Sequence, residues 1–181
     1  MLHITIPAGE AFDPRTNEFI TIPKDIPLSL EHSLVSLSKW ESKWCKPFLN
    51  KEEKTTEETI DYIRCMTLTQ NVDPNAYYCL SKENIELINN YIKDPHTATT
   101  IHENPNGPKN RETITSELIY YWMIALNIPF ECQKWHLNRL LMLIKVCNIK
   151  NAPPKKMSRN QILSRNAALN AARKQQLHTK G

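Results

Sequence analysis

Glycine is nearly missing from this chain of 181 residues, which holds only Gly9, Gly107 and Gly181. A phosphate-cradling loop or a dinucleotide-binding turn needs several glycines close together, so neither is built here in the usual way. The five cysteines, Cys45, Cys65, Cys79, Cys132 and Cys147, never form Cys-x-x-Cys. That spacing argues against a disulfide framework and a zinc knuckle, and for reduced, mostly buried thiols. No apolar run approaches the roughly 20 residues that a bilayer demands; Leu118 to Leu126 is about half of that. The start, MLHITIPAGE, lacks the basic residues and long apolar stretch of a signal peptide, so a soluble, unexported protein with no membrane partner is expected. Gly-x-Ser-x-Gly, His-Glu-x-x-His and a locally supported nucleophilic cysteine are also missing. The expectation is a non-enzymatic protein without a cofactor or metal.

What is present is organised around Thr115 to Ile149. The stretch Leu118 to Leu126, LIYYWMIAL, offers no polar face, which predicts a helix enclosed on most sides and capped by Thr115 or Ser116. Pro129 breaks the pattern, and a second helix is expected to restart near Glu131 or Cys132. In it Trp135 leads into an apolar stripe of Leu137, Leu140, Leu141, Ile144 and Val146 or Cys147, with Lys134, Asn138 and Lys145 opposite. The pair reads as a helical hairpin. Trp40, Trp44, Trp122 and Trp135 are expected in the core, where large aromatics at helical spacing usually sit. Cys132 and His136 stand four apart and would share one helical face, but two ligands do not make a metal site; a buried thiol and a hydrogen-bonded histidine are expected instead.

Taken in order, residues 3 to 32 read as strands. Ile-Thr-Ile-Pro occurs at Ile4 to Pro7 and again at Ile20 to Pro23, with turn chemistry from Phe12 to Asn17 between them, which predicts a β-hairpin. Ile26 to His32 alternates and would add a third strand. Helical spacing follows from Ser33 to Trp44, ended by Pro47. Thr55 and Glu58 form a capping box for the next helix, Asp73-Pro74-Asn75 starts a short turn or helix, and Ser81 caps a helix with the stripe Ile85, Ile88, Tyr91 and Ile92 that Asp94-Pro95 stops. His96 to Glu112 has no hydrophobic period and reads as a long loop with solvated His96 and His102. The expected fold is α+β and mainly helical: a β region over 1–32, a helical core over 33–150, and a basic linker and helix over 151–181.

Charge is lopsided. After Glu131 there is no acidic residue, whereas 11 of the 23 basic residues lie beyond it. Asn151 to Lys156 reads as a stiff basic linker, and Ser158 with Gln161 as a second capping box for a helix running toward Leu177. Its apolar residues Ile162, Leu163, Ala167, Leu169 and Ala171 form a weak stripe, so the helix is expected to be exposed or to dock on a partner. Arg159, Ile162, Leu163, Arg165, Leu169, Arg173 and Lys174 are the candidate partner-binding residues. The charge could equally complement the acidic half in a homo-oligomer or contact nucleic acid, although no aromatic residue is there to stack on bases.

Four stretches carry a resemblance: SLEHSLVSLSKWESKW (Ser29 to Trp44), ETIDYIRCMTLTQNVDPNAYY (Glu58 to Tyr78), SELIYYWMIALNIPFECQKWHLNRLLMLIKVCNI (Ser116 to Ile149) and PPKKMSRNQILSRNAALNAARKQQLHTKG (Pro153 to Gly181). Together they resemble a small protein encoded among the tail genes of tailed bacteriophages, and the tryptophan-led helix from Trp135 to Leu141 is similar to one in tail assembly chaperones. The resemblance implies a chaperone or minor structural component that binds other tail proteins, including the tape measure protein. It places the protein in the host cytoplasm during assembly or in the virion, and it brings no catalytic residues.

Overall fold

A computed structural model describes residues 1–13, 17–101, 112–153 and 158–178. The fold is α+β, with antiparallel strands at the N-terminal end and helices through the rest. Residues Met1–Asn148 make one compact unit and Ile149–Gly181 a second.

Four strands open the chain: β1 (Leu2–Ile6), β2 (Gly9–Asp13), β3 (Glu18–Ile22) and β4 (Ile26–Leu30). They form two two-stranded sheets, β1 with β4 and β2 with β3. The repeated Ile-Thr-Ile-Pro segments therefore do not pair with each other, as the hairpin expectation had it. The reason lies in the faces. Pairing β1 with β4 sets Leu2, Ile4 and Ile6 opposite Leu30, Leu28 and Ile26, so the apolar face of one strand meets that of the other. Residues 14–16 of the expected turn lie outside the described residues, and Phe12 and Asp13 belong to β2. The far edge of β4 is closed by the end of the second helix: Glu31 N–H donates to the Met66 carbonyl (2.9 Å) and Leu68 N–H to that of Ser29 (2.8 Å).

Capping chemistry fixes the helix starts. Ser33 and Ser36 form a capping box for α1 (Leu34–Trp44), which ends at Cys45 in the left-handed region. Thr55 and Glu58 do the same for α2 (Thr56–Met66), and Ser81 caps α3 (Lys82–Lys93) after a 3₁₀ segment over Pro74–Cys79. Thr115 caps α4 (Ser116–Ala125), and α5 (Leu137–Asn151) and α6 (Arg159–Leu177) complete the chain.

Two apolar clusters fill the first unit. One joins the β1–β4 sheet (Ile4, Ile6, Leu28, Leu30) to Trp40, Tyr62, Met66 and Ile88. The other joins Leu34 and Leu37 to Ile119, Met123, Leu137, Leu140 and Ile144. Helix α1 serves both, with Trp40 in the first and Leu34 and Leu37 in the second.

Several expectations are corrected here. Helix α4 is not enclosed: Ile119 and Met123, four residues apart, point inward, while Tyr121 and Ile124 are 63% and 62% exposed. A helix this short is covered on the one face it lays against its neighbours, whatever the composition of the other. The second helix does not restart at Glu131 or Cys132, because Pro129 leads into a 3₁₀ segment over Phe130–Lys134 and α5 begins only at Leu137. Cys132 and His136 therefore do not share a helix. Of the four tryptophans only Trp40 is fully buried; Trp44, Trp122 and Trp135 are half-buried against the clusters. The five cysteines are free, but Cys132 alone is buried.

Candidate partner-binding surfaces and the histidine seam

The basic residues singled out from the sequence stand on α6. Ser158 accepts the Gln161 N–H (3.3 Å) while Gln161 Oε1 accepts the Ser158 N–H (3.0 Å), the reciprocal box that the sequence predicts. No residue of α6 is buried. Ile162 (44% exposed), Leu163 (58%) and Leu169 (46%) are open along with Arg159, Arg165, Arg173 and Lys174. Ile162 and Leu169 stand two turns apart and so share a side, with Arg159 three residues before the first and Arg173 four after the second. The arrangement offers an apolar strip with cations at both ends.

A second apolar surface lies on α4. Tyr121 and Ile124 are one turn apart and exposed, and Phe130, which begins the 3₁₀ segment, is 54% exposed. Tyr121 and Ile124 share one side of α4, and a contiguous exposed apolar patch is what marks an interaction face. A surface cleft of about 520 Å³ lies elsewhere, between β2, α2 and α3, lined by Phe12, Ile60, Tyr77, Tyr78, Leu80 and Ile85. Its charged lining residues are Lys54 and Glu57, and it gathers no convergent set of reactive groups.

Two buried histidines, His32 and His136, stand against each other in the first unit. His32 follows β4, and its Nδ1 shares a 2.6 Å hydrogen bond with the hydroxyl of Tyr62. Its ring stands edge-on to that of His136, with centroids 5.1 Å apart. Burial, and then the neighbouring His136, push the His32 pKa down to about 3, and burial raises that of the Tyr62 hydroxyl. His136 is lowered as well, chiefly by burial and against the pull of the Tyr91 carbonyl. The backbone closes the same place: Leu137 N–H donates to the His32 carbonyl (2.7 Å), and Ser33 and His136 form an antiparallel bridge. His96 was expected to be solvated; it is exposed, yet its ring lies 4.1 Å from that of His136, centroid to centroid. His102 lies outside the described residues, as does most of the 96–112 loop. Among the described residues no group of three or more histidines, cysteines or carboxylates could hold a metal ion.

No family model, curated protein or solved structure matches the chain.

Sequence reasoning missed the seam. His32 closes an alternating strand-like run and His136 sits beside a tryptophan, so each reads locally as an ordinary packing residue. Only the pairing of residue 33 with residue 136 brings the rings together. No helix among the described residues is long and apolar enough to cross a membrane.

Proposed function

We propose that the chain is a non-enzymatic bacteriophage tail protein, an assembly chaperone or minor structural component that holds another tail protein, with the tape measure protein as the foremost candidate. The observation that carries the reading is α4, an apolar helix with Tyr121 and Ile124 left uncovered. A helical partner would lay its own apolar stripe along that row, as helices do in grooves and bundles. The arm α6 supplies a second contact, with Ile162, Leu163 and Leu169 giving apolar area and Arg159, Arg165, Arg173 and Lys174 selecting an acidic surface. The resemblance to phage tail-gene products supplies the assembly context and the host-cytoplasmic or virion location.

A second reading has its own support. From Ile149 onward the chain holds eight basic residues and no acidic one, a distribution that suits a phosphate backbone. The two readings differ in what they require. Pull-down of the other tail proteins by the intact chain should be lost on Tyr121→Asp with Ile124→Asp, and weakened on Leu163→Asp with Leu169→Asp. If the arm binds DNA instead, duplex binding should survive both pairs and fall roughly a thousandfold between 50 and 200 mM salt for about six phosphate contacts. Partner capture unaffected by either Asp pair would defeat the protein-binding reading.

A further inference from the structure

The start of α5 is held by an unusual cap. His136 precedes the first helical residue, and its carbonyl accepts the Leu140 N–H (3.1 Å), the first bond of the helix. Its Nε2 lies 3.0 Å from the Tyr91 carbonyl oxygen. A carbonyl only accepts, so Nε2 carries the proton, and in the neutral ring Nδ1 is then an acceptor. That acceptor takes the Asn138 N–H at 3.3 Å, one of the donors a helix start leaves without an intrahelical partner. Serine, threonine and asparagine do this work without titrating. A histidine does it only while neutral.

We propose that His136 makes the start of α5 a proton-operated latch: a proton on Nδ1 turns the cap from an acceptor into a donor and frees the first turn of α5 from the seam. The added charge would face the Asn138 N–H at the positive end of the helix, where a cation is disfavoured. The bonds then at stake are those that dock α5, Leu137 N–H to the His32 carbonyl and Asn138 Nδ2 to the carbonyls of Ile92 (2.9 Å) and Asp94 (2.8 Å).

The charged and titratable groups around the ring do not supply the missing acceptor. From the end of β4, His32 meets it edge-on. The Glu31 carboxylate accepts from the Tyr91 hydroxyl (2.7 Å) and pairs with the Met1 ammonium (3.0 Å). From α2, Tyr62 bonds to His32. Beyond α3, the Asp94 carboxylate accepts the His96 N–H (2.8 Å), and the His96 ring lies against that of His136. On α5 itself the Arg139 guanidinium lies 4.2 Å from the centre of the Trp135 ring. Protonation of His136 therefore adds a cation to a cluster whose carboxylates are already engaged. Burial places the transition of His136 below the ordinary 6.5.

Hydrogen exchange on the full chain between pH 7.5 and 5, corrected for the intrinsic rate, reads the latch directly. Amides of residues 137–140 should lose protection in acid by on the order of fivefold, the effect of removing one N-cap, while those of α2 hold. His136→Asn keeps an acceptor that does not titrate, so its exchange at 137–140 should be flat over the same range. An equal loss in His136→Asn would overturn the proposal. So would a wild-type ring whose nitrogen shifts titrate while exchange at 137–140 stays constant, a measurement that needs no variant to fold.

Discussion

Glu41 on α1 accepts the backbone N–H of Ser116 at 2.7 Å, so the first turn of α4 is completed by a carboxylate 75 residues earlier in the chain. Its other oxygen accepts the Phe48 N–H at 2.9 Å, and the side chain is buried. A charge is tolerated there because both oxygens meet backbone donors and one of them faces a helix start. Glu41 thereby fixes both where α4 begins and how the chain leaves α1.

Replacing Glu41 by Gln keeps the shape but turns one acceptor into an amide donor facing a backbone N–H. The expected loss is about 1.5–3 kcal/mol, the range for hydrogen bonds to charged groups. Urea unfolding of the variant at pH 7 measures it, and an unchanged midpoint would remove Glu41 as an organiser of α4.

The tryptophans should separate by burial. Trp40 is 1% exposed and its indole N–H donates to the Glu58 carbonyl (2.8 Å), so Trp40→Ala leaves a cavity and removes that hydrogen bond. A cost of about 3–5 kcal/mol is expected. Trp122 is half-buried, and Trp122→Ala should cost clearly less, roughly half as much, because solvent already reaches the site. Thermal or urea unfolding of the two variants side by side checks the order.

His32 gives the folded unit an acid dependence of its own. Its pKa in the fold, about 3, lies below the 6.5 of an unfolded histidine, so the unfolded chain binds the proton first. Stability is complete above pH 6.5 and falls as the pH drops toward 3, by about 1.4 kcal/mol for each unit through that window. Unfolding free energies at pH 7, 5.5 and 4 should fall more steeply for the wild type than for His32→Gln. Parallel slopes would mean that the imidazole is already charged in the fold or reaches solvent.

Much of the architecture could be read before any coordinates, where local chemistry alone decides. Thr55, Ser81, Thr115 and Ser158 each act as caps because a short polar side chain before an amphipathic or alanine-rich run has one good use. What could not be read depends on distant partners. The two Ile-Thr-Ile-Pro segments are locally equivalent, and only the matching apolar face of Ile26 to Leu30 sends the first one past its neighbour. The open face of α4 was hidden for a related reason: composition says how apolar a helix is, but not how many sides its neighbours cover. Of the candidate site, the cap and the exposed strip of α6 were visible in the sequence. The meeting of His32 with His136 was not, since nothing in either segment points to the other.

The bond from Leu137 to the His32 carbonyl also sets an order of events during synthesis. Its two ends leave the ribosome about a hundred residues apart, which at roughly 5–20 residues per second is an interval of about 5–20 s. Through that interval Leu34 and Leu37, fully buried in the finished molecule, have no α4 or α5 to cover them. The nascent chain thus carries its own sticky surface until its last large helix of the first unit arrives, and crowding of several such chains on one message would favour association in that period over any later one.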